Sequence, residues 1–247
     1  MIEKQIHILS TRPLDLYLLE AAASEGVSIG ALSFISTQPV TGPSIGSEIA
    51  GAALSASTVV FTSRHAVEAV IALLGRRPDW KIFCTGHATR EWVERHFGRE
   101  AIMGTAGSAA GLADKIIAMT SAPAEILFFC GDQRLDELPK RLLEKGFRVR
   151  EVIVYKTVLT PRLVEDHYDG IIFFSPSAVT SFFSSNKPAP GSVLFAIGPT
   201  TAEAIREKSG NTILVSESPD KEEFIREIIR YVKSGDSSRQ TETDKRS

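Results

Sequence analysis

From Ile6 to Val232, short β-branched or aromatic runs alternate with amphipathic helical patterns, and that alternation leaves few folds open. Strands separated by helices run parallel, and a parallel sheet needs helices over both faces. The strand candidates are Ile6–Leu9, Val27–Ile35, Thr58–Phe61, Lys81–Cys84, Glu125–Cys130, Phe147–Tyr155, Gly170–Phe174, Ser192–Ile197 and Thr212–Val215. Between them, Leu14, Tyr17, Leu18, Ala21 and Ala22 keep a helical rhythm, with Pro13 suited to a first turn and Gly26 to a C-terminal cap. Leu135, Leu138, Leu142 and Leu143 do the same before Gly146. A last stripe of Phe224, Ile225, Ile228, Ile229 and Val232 is entered through Ser218 and Pro219. The stretch 234–247 holds no aliphatic or aromatic residue and reads as a disordered tail.

The chain also repeats itself. Ser63 and Ser175 lie 112 residues apart, in TSRHAV and FSPSAV, each after an apolar strand. Gly86 and Gly198, Thr89 and Thr201, and Glu91 and Glu203 keep the same 112-residue spacing, so TGHATRE and IGPTTAE match in register. Upstream of each copy comes a strand, a helix, a glycine (Gly26 or Gly146) and a long strand.

Each copy places Ser/Thr-rich turns where a strand ends and a helix begins. There the helix offers unpaired N–H groups and the positive end of its dipole to an anion. Thr62, Ser63, Ser175 and Ser177 occupy one pair of turns, and Gly86, Thr89, Gly198, Thr200 and Thr201 the other. Ser and Thr are equally ordinary N-caps, so a single such turn is structural as readily as functional. Four turns are a stronger signal, because ligands of open α/β sheets gather at the carboxyl ends of the strands. His65 and His87 in these turns could serve as acids, bases or anion ligands, or stand as exposed imidazoles. Tyr155 ends the apolar run VREVIVY and suits either a site or a domain junction. Asp132, Arg134 and Asp136 read as a capped, solvated helix start.

Composition excludes other classes. Lys and Arg total 28 against 30 Asp and Glu, a formal charge of −2, so no basic excess exists to neutralise a nucleic acid backbone. No run approaches the roughly 20 apolar residues of a membrane span, and the apolar run in the opening MIEKQIHIL is too short for a secretory signal. Cys84 and Cys130 read as buried free thiols suited to a reducing cytoplasm. The histidines have no metal-ligand spacing, and no phosphate loop, dinucleotide fingerprint or nucleophile elbow is present, so neither metal nor cofactor is expected.

VVFTSRHAV, RLLEKGFRVREVIVYKT, IIFFSPSAV and AIGPTTAEAI, with ILSTRP at the start, resemble the uroporphyrinogen-III synthase family over about Ile6 to Val232. The resemblance implies two similar doubly wound parallel-sheet α/β domains joined by a two-stranded connector, with a cleft between them. Domain 1 would combine 1–36 with 159–233, domain 2 would span 41–154, and 37–40 with 155–158 would connect them. It implies a carbon–oxygen hydro-lyase of tetrapyrrole (heme) biosynthesis, cytoplasmic and most simply a monomer, acting on hydroxymethylbilane, a linear tetrapyrrole with eight carboxylates. No cofactor is implied. Tyr155 matches the tyrosine proposed to assist loss of the hydroxyl. Ser63, Ser175, Ser177, Thr89 and Thr201 match the family's turn residues. His65 and Arg90 depart from the family pattern and could add carboxylate contacts. A non-catalytic two-lobed module that senses tetrapyrroles or other anions is the alternative reading.

Overall fold

The computed structural model describes residues 5–55, 58–218 and 220–243, with the side chains of 235–243 outside the description. In chain order the elements begin with strand β1 (Ile6–Ser10), helix α1 (Leu16–Ser24), β2 (Val27–Ala31), β3 (Ile35–Pro39), α2 (Pro43–Ala53) and β4 (Thr58–Phe61). Next come α3 (Arg64–Ile71), β5 (Lys81–Thr85), α4 (His87–Phe97), a 3₁₀ turn, β6 (Ile102–Ala106), α5 (Ala109–Met119) and β7 (Glu125–Gly131). α6 (Glu137–Glu144), β8 (Arg148–Leu159), β9 (Gly170–Phe173), α7 (Pro176–Phe183) and β10 (Val193–Ala196) follow. The chain closes with α8 (Pro199–Arg206), β11 (Ile213–Val215) and α9 (Lys221–Thr243).

Two compact units result, the first from Met1–Ser36 with Leu159–Ser247 and the second from Thr37–Val158. In the first unit five strands run in the order β11-β10-β9-β1-β2, and every pair is parallel. The sheet of the second unit runs β3-β8-β7-β4-β5-β6, with β8 through β6 all parallel. β3 lies antiparallel to β8: the Val40 N–H donates to the Val154 carbonyl at 2.9 Å, and the Thr160 N–H to the Phe34 carbonyl at 2.9 Å. Connections leave β1 and β4 toward one edge of their sheets and arrive at β9 and β7 on the other side. Such a reversal opens a crevice at the carboxyl ends of the two neighbouring strands.

Each unit has its own core. In the second, Phe61 stacks on Phe129 at 5.5 Å between centroids, and Trp80 lies 5.6 Å from both Phe97 and Phe129. The Trp80 indole N–H is satisfied by the Ala52 carbonyl at 3.1 Å, as a buried indole requires. In the first, Phe34 and Phe173 meet Phe182 edge-on at 5.3 and 5.4 Å. Phe224, Ile225, Ile228 and Ile229 of α9 cover the other face, against Ile8, Ile172 and Phe195.

Several sequence expectations change. Val27–Ile35 is not one strand: the chain leaves the sheet after Ala31 and buries Phe34 in the core before β3 begins. The strand expected to end at Tyr155 runs to Leu159, because β3 offers it a second partner. β6 has no counterpart among the expected strands. Its IMGTA sequence alternates poorly, and pairing with β5 holds it extended (a tertiary override of weak local preference). Pro13 precedes α1 instead of opening it. Leu135 and Leu143 stand 65% and 56% exposed, so only Leu138 and Leu142 of that stripe reach the core. The start of α9 is set by Asp220, whose carboxylate accepts the N–H groups of Glu222 at 2.9 Å and Glu223 at 3.0 Å; Pro219 lies outside the described residues. That helix continues to Thr243, well into the stretch read from composition as a tail. Propagating an existing helix costs little, which composition alone does not register. Residues 244–247 lie outside the described residues.

Candidate active site

In the second unit the crevice lies between β4 and β7. Ser63, directly beyond β4, is the N-cap of α3, and its hydroxyl oxygen accepts the His65 N–H at 3.2 Å. The Ser63 hydroxyl also neighbours the Tyr155 phenol, where it favours the ionised form. A register shift between Cys130 and Gly131 sets Tyr155 opposite Gly131 on the neighbouring strand. The ring occupies the space a side chain at Gly131 would need: an added Cβ would stand 2.4 Å from Cζ. The His65 ring meets the Tyr155 ring edge-on at 5.9 Å, and its Nδ1 lies 3.1 Å from Glu68 Oε2 and 3.4 Å from Thr37 Oγ1. Burial pushes the Tyr155 phenol above its ordinary pKa, and the Ser63 hydrogen bond only partly offsets this. Tyr155 therefore holds its proton at neutral pH and can donate a hydrogen bond or a proton.

Thr62 lies one residue before Ser63, and its carbonyl accepts the Thr85 hydroxyl at 3.1 Å, tying the end of β4 to the end of β5. Beyond β5, Gly86 begins α4 at φ +71°, a left-handed conformation that favours glycine. No side chain caps this helix. Thr89 in its first turn is buried at 6% exposure, so the groups this helix presents are its backbone N–H donors.

The first unit repeats the pattern. Ser175 caps α7, accepting the Ala178 N–H at 3.2 Å, with half-buried Ser177 beside it. Gly198 begins α8 with no side-chain cap, Pro199 takes the first helical position, and Thr200 is exposed. Thr201 matches Thr89 and is likewise buried, at 2% exposure. Each unit thus has a serine-capped helix and a glycine-led helix at matching positions, and the second unit adds a further serine cap at Ser108 on α5 and a further glycine start at Gly42 on α2.

The ten candidate site residues all lie at or beside the carboxyl ends of strands. Tyr155, Ser63 and His65 form one cluster. Two basic residues are already engaged by their own helix. Arg90 donates to Glu94 Oε1 through Nε at 3.0 Å and Nη2 at 2.9 Å, and His87, 85% exposed, faces Glu91 at 3.6 Å. Residues that sequence reasoning passed over also join the sites. In the crevice between β1 and β9, the Thr11 hydroxyl donates to the Ile172 carbonyl at 2.8 Å, and the Arg12 guanidinium lies 5.3 Å from the Phe174 ring centroid. The STRP run after β1 was the available signal. Asp132, read as part of a helix start, instead bonds to β8. Among the described residues no group of three metal-ligating side chains is found.

Parallel sheets ending in paired serine-capped and glycine-led helices define a two-unit α/β protein with anion-receptive turns. Residues 18–226 match the family described as Uroporphyrinogen-III synthase HemD, and the chain belongs to that family. Uroporphyrinogen-III synthase of Saccharomyces cerevisiae is 31% identical over 176 residues, covering 61% of this chain and 64% of the yeast protein. The matched region is therefore somewhat under two thirds of that relative's length. The fold is similar to uroporphyrinogen-III synthetase from Helicobacter pylori, with TM-score 0.63 at 15% identity over 92% of this chain and 99% of that one. It is also similar to a mutant uroporphyrinogen III synthase from Thermus thermophilus, with TM-score 0.57 at 16% identity over 93% and 99%.

Proposed function

We propose that this chain is a uroporphyrinogen-III synthase, cyclising hydroxymethylbilane with inversion of ring D and net loss of water. The observation that carries the reading is the protonated, half-buried Tyr155 held between Ser63 and Gly131 within a chain of that family. Tyr155 donates its proton as the ring A hydroxyl leaves, giving water and an azafulvene. The substituted carbon of ring D attacks to form a spiro intermediate, ring D inverts, and the macrocycle closes with loss of a proton, which restores Tyr155. The pyrroles supply the electrons, so the protein's main contribution is to hold the substrate in the geometry that favours inversion over direct closure.

The helix starts at Ser63, Gly86, Ser175 and Gly198 fit the substrate's carboxylates. Each helix N-terminus contributes about 0.3–1 kcal/mol to an anion without any formal charge on the protein. Thr62, Thr89, Ser177, Thr200 and Thr201 shape the same turns. Such N–H groups would let a chain of formal charge −2 receive a polycarboxylate. Two buried free thiols fit a reducing compartment, which supports a cytoplasmic location. The test is to supply hydroxymethylbilane and resolve the isomers after oxidation: the type III product supports the reading. Only the type I isomer, which also forms spontaneously, rejects it.

A further inference from the structure

We propose that Asp132 is a positioning residue for Tyr155, clamping β8 at the height where the tyrosine ring lies across Gly131. The ladder between β7 and β8 ends at Gly131, and Asp132 is the first residue beyond it. Its backbone N–H donates to the Tyr155 carbonyl at 3.2 Å. Its carboxylate Oδ1 accepts the Thr157 N–H at 2.9 Å. One residue thus grips β8 at Tyr155 and again two residues later, replacing the ladder bond that β7 no longer supplies.

This grip falls where the register has just shifted. Gly131 pairs with Tyr155 after a shift at Cys130, and without a second hold β8 could relax toward the unshifted register. A slip of one residue would turn Tyr155 to the opposite face of the sheet and away from Ser63. The neighbouring charges of the loop have other partners. Arg134 pairs with Glu151 of β8 and with Asp136 at 2.8 Å, so the Asp132 carboxylate is committed to the backbone and not to a side-chain cation. That arrangement differs from a helix cap: α6 begins later, and Asp136 at its start makes no side-chain cap bond.

The consequence for turnover rests on the role proposed above for Tyr155, and the experiment separates the two ideas. Asp132→Ala removes the acceptor, whereas Asp132→Asn keeps an oxygen that can accept the Thr157 N–H. In the substrate-free protein, Thr157 amide exchange should quicken about tenfold or more in Asp132→Ala. The Tyr155 ring carbon signal (assigned through Tyr155→Phe) should move in the same variant. Asp132→Asn should restore both. With hydroxymethylbilane, Asp132→Ala should lower kcat about tenfold or more, as displacement of a reacting group does, with KM within about threefold. Asp132→Asn should recover most of kcat. An unchanged Thr157 exchange rate and Tyr155 signal in Asp132→Ala would overturn the positioning role, whatever the activity. Altered signals with unchanged kcat would overturn its relevance to turnover. If the parent protein formed only the type I isomer, the proposed activity would fail while the two spectroscopic readouts still decided the clamp.

Discussion

The Tyr155 ring rests on Gly131 so closely that a Cβ added there would stand 2.4 Å from Cζ and 2.8 Å from the phenol oxygen. Gly131→Ala should therefore expel the ring or strain the strand, lowering stability by about 1–3 kcal/mol, as overpacking does. In a Tyr155→Ala background the same change should cost much less. Chemical denaturation of the four proteins of this cycle measures the coupling, and additive effects would show that the two residues do not share this space.

Tyr155→Phe keeps the ring over Gly131 and removes only the hydroxyl. Turnover of hydroxymethylbilane should slow by about ten- to hundredfold, at the low end for a positioned acid because water can substitute. Stopped-time assays with saturating substrate check this, and an unchanged rate would remove Tyr155 from the mechanism.

Cys84 and Cys130 are 0% and 1% exposed, and burial pushes both thiols up from 9.0 to about 11. Above pH 9 the unfolded chain loses these protons while the folded chain keeps them. Their contribution is thus fully present below pH 9 and is lost as pH rises toward about 11. The parent should lose more stability between pH 9 and 11 than a Cys84→Ala, Cys130→Ala double variant. Parallel slopes in denaturation experiments across that window would contradict the burial assigned to the thiols.

Asp220 is the sole side chain described as bonding the first N–H groups of α9, at Glu222 and Glu223. Asp220→Ala should destabilise the first unit by about 1 kcal/mol, and Asp220→Ser by less. Urea denaturation monitored on that unit's core gives the values; equal stability of Asp220→Ala and the parent would show the cap to be energetically silent.

What the sequence reveals about this molecule is local chemistry. Ser63 and Ser175 cap helices because a hydroxyl before a helical stretch needs only the next few residues to act, and their 112-residue spacing exposed the duplication directly. The buried stripes of α9 and the apolar strands β4 and β7 were legible for the same reason: their periodicity is contained in the segment. What escaped depends on register between strands. No reading of GDQR alone links Asp132 to Thr157, since that bond exists only once β7 and β8 are paired. Nor does composition reveal that Gly131 lies beneath Tyr155. Arg90 and His87, basic residues in a candidate anion turn, face Glu94 and Glu91 one helical turn along, a pairing that i, i+4 spacing could have flagged.

The most direct measurement is the isomer composition of uroporphyrinogen formed from hydroxymethylbilane as the concentration of this protein is raised. Spontaneous closure supplies a fixed background of type I. The account predicts that the type III fraction climbs with protein until it dominates, and that it climbs more slowly with Tyr155→Phe. A type III fraction that stays at the protein-free level would contradict it.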